Sequence, residues 1–148
     1  MIRRYFFDTS ALVKLYHQEK GTEALEHLIS AADTCIVISD LSFIEITSAL
    51  ATKVRMGLID RDVFEAVLDC FIRDFAGYEI IEVDHAVKMQ AADLLKTIAV
   101  TRRLRTLDAL QLASALTAAR KSPLDLFVAA DIFLIEAAQA KDLQTFSV

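Results

Sequence analysis

The chain has 148 residues, 55% of them hydrophobic, with only 3 glycines and 1 proline. That length suits one domain, and the scarcity of chain breakers excludes disorder, collagen-like repeats and a loop-rich disulfide scaffold. A balance of 16 basic against 21 acidic residues leaves a formal charge of −5, which repels nucleic acid unless a local patch, a metal or a partner intervenes.

The predicted elements alternate short apolar runs with longer periodic ones. Tyr5-Phe6-Phe7 reads as a first strand ending at Asp8, and a short helix around Ala11 to Tyr16 follows with Ser10 placed to cap it. Gly21 breaks the chain before a helix carrying Ala24, Leu25, Leu28 and Ile29. Cys35 to Ile38 is short and β-branched, hence a second strand. Ser39 or Asp40 then caps a helix to about Met56, where Gly57 supplies a left-handed stop. Asp60 caps a helix whose stripe of Val63, Phe64, Val67, Leu68, Phe71 and Phe75 is expected to pack into the core. Tyr78 to Val83 is a third strand, Asp84 caps a helix to Leu95, and Thr106 begins a long helix that stops before Pro123. Leu126-Phe127-Val128 is a fourth strand, Asp131 to about Ala140 a last helix, and Thr145 to Val148 a fifth strand.

Strands separated by helices require crossover connections, so the fold class is an α/β sandwich with a mostly parallel sheet covered on both faces. Cys35 and Cys70 lie on apolar segments outside any CxxC or histidine pattern and read as buried free thiols of a reducing compartment. No apolar run reaches ~18 residues and nothing resembles a signal peptide, which gives the expectation of a cytoplasmic protein without a membrane segment.

In parallel α/β sheets, ligands bind outside the carboxyl ends of the strands. The first strand ends in Asp8, followed by Thr9 and Ser10, and Asp131 follows the fourth. Each of the two serves equally well as a plain helix cap. Glu45 and Asp108 are less ordinary. Glu45 has Leu41 and Ala49 one turn away on its own helical face, and Asp108 has Leu104 and Leu112. A carboxylate in such apolar company needs a cation, because uncompensated burial of charge is prohibitive. Several acids exceed what one or two basic side chains neutralise, and oxygen ligands without His or Cys select Mg²⁺ or Mn²⁺ over zinc. His17, His27 and His85 are scattered and match no ligand spacing. Such a site fits phosphodiester hydrolysis.

Four segments resemble the motifs of the PIN-domain ribonucleases, particularly the VapC-type toxins of type II toxin–antitoxin pairs. Phe7-Asp8-Thr9-Ser10-Ala11-Leu12-Val13-Lys14-Leu15 is similar to the first, and Leu41-Ser42-Phe43-Ile44-Glu45-Ile46 to the second. Thr106-Leu107-Asp108-Ala109-Leu110-Gln111-Leu112-Ala113 resembles the third, and Phe127-Val128-Ala129-Ala130-Asp131 with Leu134 and Ala138 the fourth. The resemblance implies a three-layer α/β/α fold with strand order 3-2-1-4-5, placing Asp8 beside Asp131. It also implies Mg²⁺- or Mn²⁺-dependent endonucleolytic cleavage of RNA. Asp8, Glu45 and Asp108 would hold metal directly, and Asp131 a second metal or its water. Thr9 or Ser10 would fix Asp8 through a hydroxyl. Many relatives carry Thr or Ser where this chain has Ala129, a departure that bears either on how firmly Asp131 is held or on metal preference.

For gripping RNA, the basic cluster Arg102, Arg103 and Arg105 stands directly before the helix of Asp108, and Lys14 is a further phosphate candidate. No aromatic interleaves with these charges in the sequence, so base stacking is not indicated. The resemblance implies a homodimer neutralised by a separate antitoxin polypeptide, for which the apolar stripe at 63–75 offers a groove. Two alternatives remain: a PIN-fold nuclease of RNA processing without an antitoxin, and a non-catalytic scaffold that binds RNA or protein. An aspartyl-phosphate phosphatase would want a second Asp where Ser10 stands.

Overall fold

The first strand explains the layering. In β1 (Arg3–Phe7) successive side chains point to opposite faces of the sheet. Phe6 therefore enters one apolar core, while Tyr5 and Phe7 enter the other. The computed structural model describes residues 1–148. Five strands, β1, β2 (Thr34–Ser39), β3 (Glu79–Ile81), β4 (Leu126–Ala129) and β5 (Thr145–Ser147), form one sheet in the order β3-β2-β1-β4-β5. Every pairing is parallel.

The helices α1 (Thr9–Leu12), α2 (Thr22–Ser30), α3 (Leu41–Arg55) and α4 (Arg61–Phe75) contribute to the core with Tyr5, Phe7 and Ile38. On the other face α5 (His85–Leu94), α6 (Thr106–Lys121) and α7 (Ile132–Gln139) meet Phe6, Val37 and Phe127. The Phe6 and Phe127 rings stack across β1 and β4 with centroids 5.7 Å apart. The predicted α/β/α layers and strand order are thus the observed ones. No helix is long and apolar enough to cross a membrane.

Local differences from the sequence expectations have identifiable causes. Asp8, not Ser10, caps α1: its backbone is extended and its carboxylate accepts the Ser10 amide. The helix is a single turn that tightens into a 3₁₀ segment, Val13–Leu15. β3 is shorter than the run Tyr78 to Val83, because the Val83 amide leaves the ladder for the Asp40 carboxylate at 3.1 Å. Beyond α5 the chain continues through a π-helical turn, Leu95–Ala99. Gly57 ends α3 as expected, at φ 74°. There the Leu58 amide bonds Lys53 O at 2.9 Å and the Gly57 amide bonds Val54 O at 3.0 Å, closing a Schellman motif.

The stripe of α4 is less buried than its periodicity suggests. Phe71 alone is enclosed, with Tyr16 edge-on at 5.3 Å. Phe64, Val67, Leu68 and Phe75 are half-buried and Val63 is exposed. Cys35 and Cys70 are both free but only partly buried.

Candidate active site

The sheet topology brings the ends of β1 and β4 together. The Asp8 amide donates to Val128 O at 2.9 Å, extending the pairing by one residue beyond β1. Asp8 is 6% exposed. Its Oδ2 accepts the Ser10 amide at 3.2 Å and, in a short contact, the Ser10 hydroxyl. That hydroxyl oxygen in turn accepts the Ala130 amide at 3.1 Å. Ser10 thus ties the acid that ends β1 to the loop that leads from β4 to Asp131.

Glu45 reaches the same region from α3, one turn after Ser42. The Thr9 hydroxyl donates to its Oε1 at 3.0 Å. Gln111 Nε2 donates to that oxygen at 2.6 Å and to Thr9 Oγ1 at 3.1 Å. Buried Ser42 completes the group, its hydroxyl 3.1 Å from that of Thr9. Both Ser10 and Thr9 therefore support acids, but different ones. Ser10 fixes Asp8, whereas Thr9 fixes Glu45.

Asp108, half-buried in the first turn of α6, accepts the Arg105 amide at 3.2 Å. Asp131 caps α7 by accepting the Phe133 amide at 2.9 Å. Its other expected support is missing, since Ala129 contributes no hydroxyl.

Burial pushes the Asp8 carboxyl up to about 6, the Ser10 hydroxyl opposes this, and the charges of Glu45 and Asp108 reinforce it. Burial also raises the Asp108 carboxyl, with Asp131 adding to the rise, while the Arg105 amide and the Arg105 and Arg103 guanidiniums pull it down. Asp8 thus feels the charges of Glu45 and Asp108, and Asp108 feels those of Asp131, Arg105 and Arg103. None of the four forms an ion pair with a basic side chain.

Three or more of these acids do not share a ligand-spaced cluster. In its chemistry the donor set fits a hard divalent cation: carboxylate oxygens only, one of them deeply buried, and no competing ammonium or guanidinium bridge. Glu45 is suited to the same role, because its protein donors fall on Oε1 and leave Oε2 without one.

Around the acids, Arg102, Arg103 and Arg105 are exposed. Arg103 lies over the Phe133 ring, 5.0 Å from its centroid, a cation–π contact between segments far apart in sequence. An aromatic therefore does accompany the arginines, supplied by the fold. Lys14 is engaged elsewhere, donating to Lys20 O at 2.7 Å and lying 3.7 Å from Glu19. Gln111 and Ser42 were not among the residues singled out from sequence. Their signal was their spacing, since Gln111 stands three residues after Asp108 and Ser42 three before Glu45, each on its acid's own helical face.

The PIN domain family model matches residues 5–139. A comparison with curated protein sequences finds no match. Among solved structures, VapBC2 from Rickettsia felis, bound to a promoter DNA fragment, is similar with TM-score 0.67 at 16% identity, covering 100% of this chain and 99% of that one. VapC20 from Mycobacterium tuberculosis, a toxin that cleaves the sarcin-ricin loop, gives 0.66 at 19% identity over 90% and 94% of the two chains. FitAcB from Neisseria gonorrhoeae gives 0.66 at 14% identity over 97% and 96%.

Proposed function

This chain belongs to the PIN-domain family, and from that premise we propose that it is a divalent-metal-dependent endoribonuclease, the toxin of a toxin–antitoxin pair. The observation that carries the reading is four acids at the carboxyl edge of the sheet, one of them deeply buried, none of which forms an ion pair. Asp8, Glu45 and Asp108 are the residues to hold Mg²⁺ or Mn²⁺, with Asp131 serving a second ion or its water. Such an ion would supply an activated water and charge stabilisation at the phosphate.

The chain's own residues do the rest. Ser10 and Thr9 hold Asp8 and Glu45 in place by their hydroxyls. Arg102, Arg103 and Arg105 bind flanking phosphates at the mouth of the site, where a protein of net charge −5 needs local positive potential. Phe133, partly exposed beneath Arg103, offers an apolar face for a nucleobase.

The antitoxin is a separate polypeptide whose apolar side chains enter a cavity of about 430 Å³ between α2 and α4, lined by Leu15, Tyr16, Ile29, Val67, Cys70 and Tyr78. The half-buried stripe of α4 is the other support for this partner. The toxin acts as a homodimer.

The test is incubation of the partner-free protein with total cellular RNA in Mg²⁺, Mn²⁺ or EDTA, alongside Asp8→Asn. Discrete fragments in metal, absent with EDTA and with the variant, are expected. Identical fragments from wild type and Asp8→Asn would contradict the reading.

A further inference from the structure

Gln111 is 1% exposed, in a helix whose other buried positions are Ala109, Leu112, Ala113, Ser114, Ala115 and Ala118. Its Nε2 makes two hydrogen bonds, 2.6 Å to Glu45 Oε1 and 3.1 Å to Thr9 Oγ1. Its Oε1 is buried with no partner. An orphaned buried carbonyl destabilises a fold, and leucine would fill nearly the same volume without one. Packing alone therefore does not explain the residue.

The orientation of the amide follows from chemistry. Turned over, it would bring a carbonyl oxygen against a carboxylate oxygen at 2.6 Å, two acceptors with no proton between them. The Thr9 hydroxyl has one proton, which goes to Glu45, so Thr9 accepts from Gln111. Both donors consequently meet Glu45 at Oε1. Oε2 accepts nothing from the protein and is the oxygen left for a ligand.

We infer that Gln111 is a positioning residue, which clamps Glu45 by one carboxylate oxygen and keeps the other available to a divalent cation. The inference rests on the reading that these acids hold metal. It adds a specific division of labour. Asp108 and Gln111 lie one turn apart on the same face of α6, so one rigid helix sets an acid directly and orients a second acid on α3 through an amide. Ligands held this way lose affinity for their ion when the supporting hydrogen bond is removed, typically about 10- to 100-fold.

The experiment is a Mn²⁺ titration by calorimetry, carried to millimolar metal, on wild type, Gln111→Leu, Glu45→Ala and the double variant. Thermal unfolding of each is followed in EDTA. Gln111→Leu should weaken binding about 10- to 100-fold in the wild-type background and cause no further loss once Glu45 is alanine. Its unfolding midpoint should change little, because removal of the orphaned carbonyl offsets the lost hydrogen bonds to Glu45 and Thr9. Gln111→Met, unbranched and of similar length, repeats the test should the leucine variant fail to fold. Unchanged Mn²⁺ affinity in a folded Gln111 variant overturns the inference, as does an equal loss with and without Glu45. Wild-type protein that binds no Mn²⁺ would instead overturn the metal site itself, and the positioning role with it.

Discussion

Glu79 and Asp125, at the amino-terminal edge of the sheet, are each met by an arginine, whereas Asp8, Glu45, Asp108 and Asp131 at the carboxyl-terminal edge are met by none. Arg4 donates to both oxygens of Glu79, at 3.0 and 2.6 Å, and Arg3 to Asp125 at 2.7 Å. The Arg4 amide and the Arg3 guanidinium hold the Asp125 carboxyl below its usual range. Arg4 also donates to Ser122 O and Pro123 O, satisfying carbonyls where α6 ends. At the other end of that helix, Asp108 and Gln111 belong to a group of acids that forms no ion pair. One sheet and one helix thus display two treatments of the carboxylate. Glu79 and Asp125 come with their cation. The acids left without one are suited to recruit it.

The comparison can be broken most severely at the carboxyl edge. Asp108→Asn is expected to reduce RNA cleavage about a thousandfold, equivalent to ~4 kcal/mol of lost transition-state stabilisation, while the urea midpoint of unfolding stays at or above the wild-type value, since burial disfavours the charge that is removed. Gel analysis of cleaved RNA checks the first part. At the amino edge the effects should reverse. Arg4→Ala should leave cleavage by the folded fraction intact but lower stability by about 3 kcal/mol, since it strands a partly buried acid and the α6 carbonyls. Adding Glu79→Gln should return part of that loss in urea denaturation, as the stranded charge is then gone.

The two edges also differ in pH response. Asp8 ionises near 3.8 when unexposed to the fold's constraints and near 6 within it. The folded state therefore holds the proton more tightly, and stability falls as pH rises through that window. Above about 6 the cost is complete, up to about 3 kcal/mol. In EDTA, Asp8→Asn keeps a cap on α1 and removes the charge, so it should be more stable than wild type at pH 7. That advantage should vanish as the pH approaches 3.8, measured as the difference between the two unfolding midpoints. Asp125, held low, changes stability in the opposite direction as acid is added.

The smallest expected effect belongs to the arginine rim. Arg103→Ala should weaken RNA binding by about 1 kcal/mol and reduce the slope of log affinity against log salt by about 1. Fluorescence anisotropy at several salt concentrations measures both.

The strands and their layers were readable because a sheet covered on both faces demands continuous apolar runs, and Phe6-Phe7, Ile36-Val37-Ile38 and Phe127-Val128 supply them. The four acids were readable because each breaks an apolar context or ends such a run. Arg3 and Arg4, the polar start of β1, were not, since their ladder partners Thr34 and Cys35 make their strand character a tertiary matter. The pairing of Thr9 with Glu45 was equally hidden. Two adjacent hydroxyls have the same local chemistry, and only the approach of α3 and α6 decides which acid each one meets. Arg103 over Phe133 joins residues 30 positions apart by number, beyond any local pattern. The α4 stripe announced a buried face, but periodicity identifies a face without saying what covers it.

Calorimetric titration of Mn²⁺ into the metal-stripped, partner-free chain, with Asp8→Asn and Glu79→Gln in parallel, tests the central claim most directly. Saturable binding by wild type and Glu79→Gln, lost in Asp8→Asn, is the predicted result. Binding that survives in Asp8→Asn, or disappears in Glu79→Gln while the protein remains folded, would contradict the division between the two edges.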